Sequence, residues 1–173
     1  MPPLDIFRPE PGNLPTRDAI PPRYQWDLTS ICQSWDEWHK AYTKLDEAIA
    51  AFPGFQGTLA QGPERLIGAF KAMDAMGALS YRVWYFAALH YDEDQRNNEI
   101  NARRQQVQIL FARQQQASSW FNPELLAIPI ETVRAWLDTN HELAVYRFAI
   151  ESLFHARRFR AARHPPVVSP KVF

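Results

Sequence analysis

Apolar side chains recur every three or four positions along residues 35–52, which is the spacing of one buried helix face. The stripe consists of Trp35, Trp38, Tyr42, Leu45, Ile49 and Phe52. Ser34 and Glu37 have the spacing of a capping box, in which a hydroxyl and a carboxylate each accept a hydrogen bond from a backbone amide. We therefore predict a first helix that starts at Ser34 and is stopped by Pro53 and Gly54.

Two longer apolar patterns predict two further helices. The second helix begins at Pro63, a residue suited to the first helical position, and ends or kinks in the polar run 92–98. Gly68 and Gly77 weaken this helix or let a neighbour approach closely. The third helix runs from about Asn98 to Phe121, and its apolar face holds Ile100, Val107, Leu110, Phe111 and Ala117. Its arginine- and glutamine-rich face is interpreted as solvated; RNA binding is the alternative, but flanking glycines and interleaved aromatics are missing.

The last part of the predicted domain reads as shorter helices. Asn122-Pro123 marks a break, residues 123–128 form one turn, and residues 130–140 form a short helix. A fifth helix covers residues 141–159, with a stripe of Leu143, Tyr146, Ile150 and Phe154. No stretch alternates as a strand would between hairpin turns. We predict an all-α fold, a bundle of about four to five antiparallel helices, with an extended proline-rich arm over residues 1–22.

Composition narrows the classes of function. The chain has 173 residues, of which 46% are hydrophobic and 22% charged, as in one ordinary globular domain. Net charge is zero, and basic residues without acids fill residues 155–173, so the body is mildly acidic and nucleic-acid binding is not expected. No uncharged run approaches the roughly 18 residues of a membrane span. Residues 1–22 lack the apolar core of a secretory signal, and Cys32 is the single cysteine, so we expect a cytoplasmic protein.

The candidate catalytic residues lack the partner groups that catalysis would require. His141-Glu142 begins a near-copy of the zinc-protease motif His-Glu-x-x-His, but Val145 stands where the second imidazole is needed. We interpret His141 and Glu142 as first-turn helix residues and Cys32 as a buried, inert thiol. His90, Asp92 and Asp94 lie close in sequence, and we interpret them as a solvated helix end; a small metal-binding protein is the remote alternative. The sequence predicts no catalytic, cofactor-binding or metal-binding residue.

Five segments resemble the N-terminal domain of oligoendopeptidase F, a zinc metallopeptidase family related to thimet oligopeptidase. The first, Pro22–Ile31, reads PRYQWDLTSI and precedes a helix that is capped by serine and carries tryptophan. The others, in chain order, are Phe55–Leu59, Tyr85–Asp92, Phe121–Leu125 and Tyr146–Glu151. Each motif is weak alone, and five in the same order over residues 20–154 make the resemblance specific.

The resemblance implies that the whole enzyme cleaves short peptides with a zinc-bound water. The family's zinc ligands and catalytic glutamate lie several hundred residues further along, so this chain is expected to carry no cofactor and to be inactive alone. The domain that it resembles forms one wall of a substrate channel. Expected partners are therefore the catalytic domain of the full-length peptidase and, weakly, short peptides, with self-association through uncovered apolar surface; nucleic acid and membrane are not expected.

The end of the chain departs from the family pattern. After Phe154 the sequence becomes basic and rich in proline, which predicts a helical family domain over residues 23–154 and a non-family tail over residues 155–173. A truncated or frameshifted product, or a detached domain with an unrelated tail, would explain the change; a nucleic-acid-binding tail is the alternative. A free-standing helical module that binds a peptide or partner helix is the second hypothesis for the whole chain.

Three tryptophans lie within thirteen residues at the start of the first helix. We predict that Trp26, Trp35 and Trp38 form a buried aromatic cluster that fixes the N-terminal arm to the first pair of helices.

Overall fold

Helices make up all the regular structure that a computed structural model describes, which covers residue 15 and residues 17–163. For residue 18 and residues 158–163 it describes only the backbone. The α-helices are α1 Trp35–Ala51, α2 Pro63–Glu93, α3 Asn98–Ser118, α4 Phe121–Ala127, α5 Ile130–Thr139, α6 His141–Ala144 and α7 Arg147–Arg163. The predicted all-α fold class is confirmed. The antiparallel bundle stays a prediction. Most of the predicted arm, residues 1–14 and 16, lies outside the described residues. The described part of the arm contains a short 3-10 turn, Arg17–Ala19, and a second one, Pro22–Tyr24, begins at its last residue.

The chain divides into two units, each with its own apolar core. Unit 1 takes its described residues from Met1–Glu47 and Met76–Gln114, and unit 2 takes them from Ala48–Ala75 and Gln115–Phe173. The unit 1 core includes Cys32, Trp38, Leu45, Met76, Val83, Phe86, Val107 and Leu110. The unit 2 core includes Phe52, Leu59, Leu66, Phe70, Phe121, Leu125, Val133, Leu137, Leu143 and Ile150.

The predicted helix starts are confirmed by their caps. Ser34 Oγ accepts a hydrogen bond from the Glu37 amide at 3.2 Å, while the Glu37 carboxylate accepts one from the Gln33 amide at 2.6 Å, one residue earlier than in a regular capping box. Pro63 occupies the first position of α2. Asn97 caps α3, because its Oδ1 accepts hydrogen bonds from the two amides at residues 99 and 100, both at 3.1 Å.

The predicted helix ends are less accurate. Helix α3 stops at Ser118, and Asn122-Pro123 lies inside the first turn of α4, where proline's missing amide costs no hydrogen bond. The turn predicted over residues 123–128 belongs to that seven-residue helix up to Ala127, and Ile128 is its extended C-cap. The predicted fifth helix is divided, because the Asn140 side chain caps the short α6 and a turn at residues 145–146 precedes α7.

Helix α7 continues to Arg163, so the basic stretch that begins at residue 155 starts within a helix. The boundary predicted between residues 154 and 155 therefore coincides with no break in secondary structure. Residues 164–173 of the predicted tail lie outside the described residues.

The segment between α1 and α2, residues 52–62, is a loop that we call the glycine loop. It opens with a 3-10 turn, Phe52–Phe55, and Gly57 takes a left-handed φ of 79°. The Glu124 carboxylate accepts hydrogen bonds from the Gly57 amide at 2.8 Å and from the Leu59 amide at 2.9 Å. A Cβ on Gly68 would stand 3.1 Å from the Phe55 ring, so the predicted close approach of a neighbour to this glycine is confirmed.

Candidate functional site

An uncharged aromatic surface on α2 and α3 is the first candidate binding site, and it lies within unit 1. Tyr81 and Tyr85, one helical turn apart, stack with ring centroids 5.7 Å apart and planes 6° apart. The two side chains are 67% and 45% exposed, although such surface is usually covered. With Trp84 and Phe111, whose rings meet at 5.9 Å, they form what we call the tyrosine patch.

The tyrosine patch borders a shallow cavity of about 390 Å³. Its other lining residues are Ser80 and Gln114, and the Ser80 hydroxyl donates a hydrogen bond to Gln114 Oε1 at 2.9 Å. Because no charged side chain lines the cavity, its chemistry suits an apolar or aromatic group with neutral hydrogen-bonding partners. Nothing in it pairs a nucleophile with a base, so it can bind but offers no catalytic group.

A larger cleft lies within unit 2, where α7 borders α4 and α5; we call it the α7 cleft. Its volume is about 880 Å³. Leu126, Ile128, Ile130 and Phe154 are apolar lining residues, and Phe148 adds a ring that is 85% exposed. Glu131, Arg134 and Glu151 add charge, and the Arg157 guanidinium donates a hydrogen bond to the Leu126 carbonyl. A cleft of this kind suits an amphipathic segment better than a small catalytic substrate.

The end of α2 gathers aromatic and charged groups within unit 1. The His90 ring lies 4.6 Å from Phe86 and 5.2 Å from Trp35, centroid to centroid. His90 Nδ1 lies 3.1 Å from Glu93 Oε2 and must donate this hydrogen bond, since a carboxylate can only accept. Burial, and to a lesser degree the Arg17 charge, lower the pKa of His90, although Glu93 opposes the shift.

The candidate metal residues His90, Asp92 and Asp94 are not brought to one point. His90 bonds to Glu93, Asp92 is exposed, and Asp94 accepts hydrogen bonds from the backbone and side chain of Arg96 at 3.1 and 3.0 Å. These hydrogen bonds lower the pKa of Asp94. Among the described residues no three His, Cys, Asp or Glu side chains form a group that could hold a metal ion.

His141 and Glu142 lie in the first turn of α6, as predicted. Glu142 pairs with Lys71 at 2.6 Å on the surface, and this hydrogen bond lowers the pKa of the Glu142 carboxyl. His39 and His155 are exposed, and His164 lies outside the described residues.

Cys32 is buried, as predicted, with 1% of its surface exposed. Desolvation raises the pKa of its thiol, and Arg82 opposes this shift. A thiol that is both protonated and inaccessible is a poor nucleophile, which agrees with the inert role predicted from the sequence.

Two of the three members of the predicted tryptophan cluster, Trp35 and Trp38, are in contact; Trp38 is buried and Trp35 is half-buried. Trp35 and Trp38 meet edge to face at 5.5 Å, and Trp38 Nε1 donates to the Val83 carbonyl at 2.8 Å. The prediction is wrong for Trp26, whose side chain is 53% exposed. This residue is held through its backbone instead, because its amide donates to Glu93 Oε1 at 3.3 Å.

Sequence reasoning missed two carboxylates that organise distant segments, Glu93 and Glu124. Glu93 accepts hydrogen bonds from Arg17 and Trp26, and Glu124 accepts them from two amides of the glycine loop. The partners lie 65 to 76 residues away in sequence, so no local pattern marks either residue.

A helix that crosses a bilayer must be both long and apolar. No helix in the described part of the chain satisfies both conditions for crossing a membrane.

Sequence comparisons relate the chain to bacterial peptidases, although no protein-family profile matches it. Oligopeptidase PepF of Bacillus subtilis (strain 168) is 24% identical over 146 residues, which are 84% of this chain and 22% of the relative. The plasmid oligoendopeptidase F of Lactococcus lactis subsp. cremoris is 24% identical over 139 residues, 80% of this chain and 23% of the relative. The chain thus spans less than a quarter of the length of these curated relatives.

Solved structures agree with the sequence relatives. The crystal structure of oligoendopeptidase-F from Enterococcus faecium has a TM-score of 0.64 at 26% identity, covering 72% of this chain and 24% of that one. A putative peptidase from Chlamydophila abortus has a TM-score of 0.69 at 20% identity, covering 89% of this chain and 28% of that one, and this likeness concerns the fold alone.

Proposed function

We propose that the chain is the N-terminal, non-catalytic, substrate-channel wall domain of an oligoendopeptidase F-like zinc metallopeptidase that hydrolyses short peptides, since the proteins it resembles are named as oligoendopeptidases and oligopeptidases. The observation that carries this proposal is the coverage: relatives named as oligopeptidases match most of this chain but less than a quarter of themselves. The catalytic residues of the proposed enzyme would then lie in the part of the relatives' length that this chain does not span. A wall domain excludes folded proteins and admits flexible peptides.

The family's zinc does not fit the donor set of the described residues. The motif-like segment of α6 offers His141 and Glu142, but Val145 supplies no donor atom at the next turn. We therefore assign this chain no role as a metal ligand or general base. Its contribution to the proposed enzyme is shape and peptide contact.

The direct test is hydrolysis of an internally quenched fluorogenic peptide by the purified chain. We expect no turnover above a buffer blank, with or without added zinc, while the B. subtilis oligopeptidase PepF serves as the positive control. Turnover by this chain that a chelator abolishes would contradict the non-catalytic role. A His141→Ala variant would then locate the activity: if this variant lost the turnover, α6 would be identified as the metal site.

A second candidate function, a free-standing peptide-binding module, is favoured by the tyrosine patch. Two stacked tyrosines beside an uncharged cavity form a ready platform for an apolar or proline-containing segment. Titration with a library of short peptides separates the two hypotheses. A wall domain on its own should bind only weakly, whereas a module should bind one sequence class with a Kd near or below about 1 μM, equivalent to about −8.2 kcal/mol. Tyr81→Ala should abolish module binding, and Val145→Ala, which changes an exposed residue of unit 2, should leave it unchanged.

A further inference from the structure

A short N-terminal segment, residues 17–26, is attached to the end of α2 at both of its ends through one carboxylate; we call this segment the strap. Glu93 Oε2 accepts a hydrogen bond from Arg17 Nε at 2.6 Å, and Glu93 Oε1 accepts one from the Trp26 amide at 3.3 Å. The two donors stand at the two ends of the strap. The Glu93 side chain is only 9% exposed and the Arg17 side chain 34%, so water screens their contact only in part, and less than it screens a fully exposed ion pair.

The strap is folded upon itself between its two fixed ends. Gln25 Nε2 donates hydrogen bonds to the Arg17 carbonyl at 2.9 Å and to the Ile20 carbonyl at 2.7 Å. These bonds close a loop that does not depend on the rest of the unit. The strap can therefore move away from α2 as one piece while its own hydrogen bonds persist.

Apolar burial in the strap is partial: Ile20 and Tyr24 are half-buried, and no described side chain of the strap is fully buried. Its second 3-10 turn, Pro22–Tyr24, contains no buried residue, and the Trp26 ring is 53% exposed. Among the residues whose side chains the structure describes, the first that is fully buried is Leu28, beyond the strap. A polar contact also lies just before the strap, where Arg96 Nη2 donates to the Pro15 carbonyl at 3.2 Å.

The end of α2 that contacts the strap is held by its own hydrogen bond and ring contacts. His90 Nδ1 donates to the same Glu93 oxygen that binds Arg17, at 3.1 Å, and its ring is packed by Trp35 and Phe86. On the far side of this cluster the Arg103 guanidinium lies 4.2 Å above the Trp35 ring. Glu93 is thus positioned before the strap arrives.

We propose that Glu93 is a latch: it holds the strap closed against α2, and loss of its contacts frees residues 17–26 while the remainder of unit 1 stays folded. The strap carries Arg23, Tyr24 and Trp26 of the Arg-Tyr-x-Trp-Asp-Leu sequence at residues 23–28, so the latch governs whether these three side chains are held in a fixed position. This inference does not depend on the proposed function, because it concerns contacts within the chain.

Limited proteolysis of the whole chain tests the latch. Arg23 is exposed on the strap, so trypsin can cut the bond after it once the strap detaches, and the fragment beginning at Tyr24 reports each cut by mass. In the regime where opening is fast, the cleavage rate follows the population of the open form. We expect Glu93→Gln to cut at least about tenfold faster at this bond than the native chain. The matched control is Glu142→Gln, which removes a surface carboxylate that pairs with Lys71; its rate should equal the native rate.

Two further variants separate a latch from a general loss of stability. Arg17→Gln should accelerate the same cut, Arg17→Lys should restore most of the native resistance, and the double variant with Glu93→Gln should add little to either single change. The denaturation midpoint of Glu93→Gln should stay close to that of the native chain. Equal cleavage rates in Glu93→Gln and Glu142→Gln would overturn the proposal. So would a collapse of the midpoint with faster cutting throughout unit 1, since Glu93 would then support the whole unit.

Discussion

Glu93 in unit 1 and Glu124 in unit 2 perform the same task on two very different segments. Each carboxylate accepts hydrogen bonds from two donors far away in sequence. The glycine loop held by Glu124 also inserts Leu59, a side chain with no exposed surface, into the unit 2 core. The strap held by Glu93 has no buried side chain in the turn Pro22–Tyr24 and exposes Trp26.

Similar hydrogen bonds contribute a different share of a segment's attachment, depending on how much apolar surface the same segment buries. A hydrogen bond in a folded protein contributes on the order of 1 kcal/mol net, whereas burial of a leucine contributes about 1.5–3 kcal/mol. In the glycine loop the carboxylate therefore refines a position that apolar burial already fixes. In the described strap no fully buried side chain accompanies the carboxylate, so its hydrogen bonds carry more weight, one of them strengthened by the charge of the Arg17 guanidinium.

Removing the apolar anchor should give the largest effect. Leu59→Ala leaves a cavity in the unit 2 core and should lower the free energy of unfolding by about 2–5 kcal/mol. Trp26→Ala removes a larger but mostly exposed side chain and should change it by about 0.5 kcal/mol or less. Chemical denaturation followed by circular dichroism measures both. If the two substitutions cost the same, the strap is anchored by its ring and the contrast between the segments disappears.

The glycine loop also depends on the backbone conformation of Gly57, and changing this residue should lower the free energy of unfolding by less than Leu59→Ala does. Gly57→Ala places a side chain at a φ of 79° and should cost roughly 1–2 kcal/mol, because the left-handed conformation is unfavourable for alanine. Gly54→Ala in the same loop is the matched control: no atom lies within 4 Å of the new Cβ, so we expect no loss and a gain of about 0.4–1 kcal/mol at most. A neutral Gly57→Ala would mean that the Glu124 contacts do not hold the turn in its shape.

Local signals made much of the fold predictable. The starts of α1, α2 and α3 were readable because their determinants, Ser34, Pro63 and the Asn97-Asn98 pair, lie at the helix ends themselves. The division between α6 and α7 was not readable. The apolar stripe of Leu143, Tyr146 and Ile150 keeps helical spacing across the turn, so periodicity cannot reveal the interruption.

The candidate surfaces were predictable only in part. The aromatic content of α2 was evident, but the stack of Tyr81 on Tyr85 at the surface depends on which face of the helix other elements leave uncovered. The same holds for the two carboxylates. Glu93 looked like one acid in a solvated polar run, and only folding brings Arg17 and Trp26 to it.

Protonation of His90 should have the smallest effect on stability. It should affect the strap, which His90 reaches through Glu93, and leave the glycine loop unchanged. Burial against aromatic rings and the nearby Arg17 charge lower the pKa of His90 from its ordinary 6.5, despite the neighbouring Glu93. The unfolded chain therefore binds this proton more readily than the folded chain does. The stabilisation that depends on neutral His90 is complete above pH 6.5 and is lost as the pH falls below that value towards the lowered pKa.

Amide chemical shifts of Trp26 and Gly57, followed from pH 7.5 to pH 5.5, measure this contrast. The Trp26 amide donates to Glu93, which His90 contacts directly, so its shift should change over the lower part of this range. The Gly57 amide donates to Glu124 in unit 2 and should stay constant. His90→Asn keeps a donor for Glu93 without a titrating ring and should flatten the Trp26 curve. A Trp26 curve that survives this substitution would show that another group titrates at the latch, and His90 would then have no part in it.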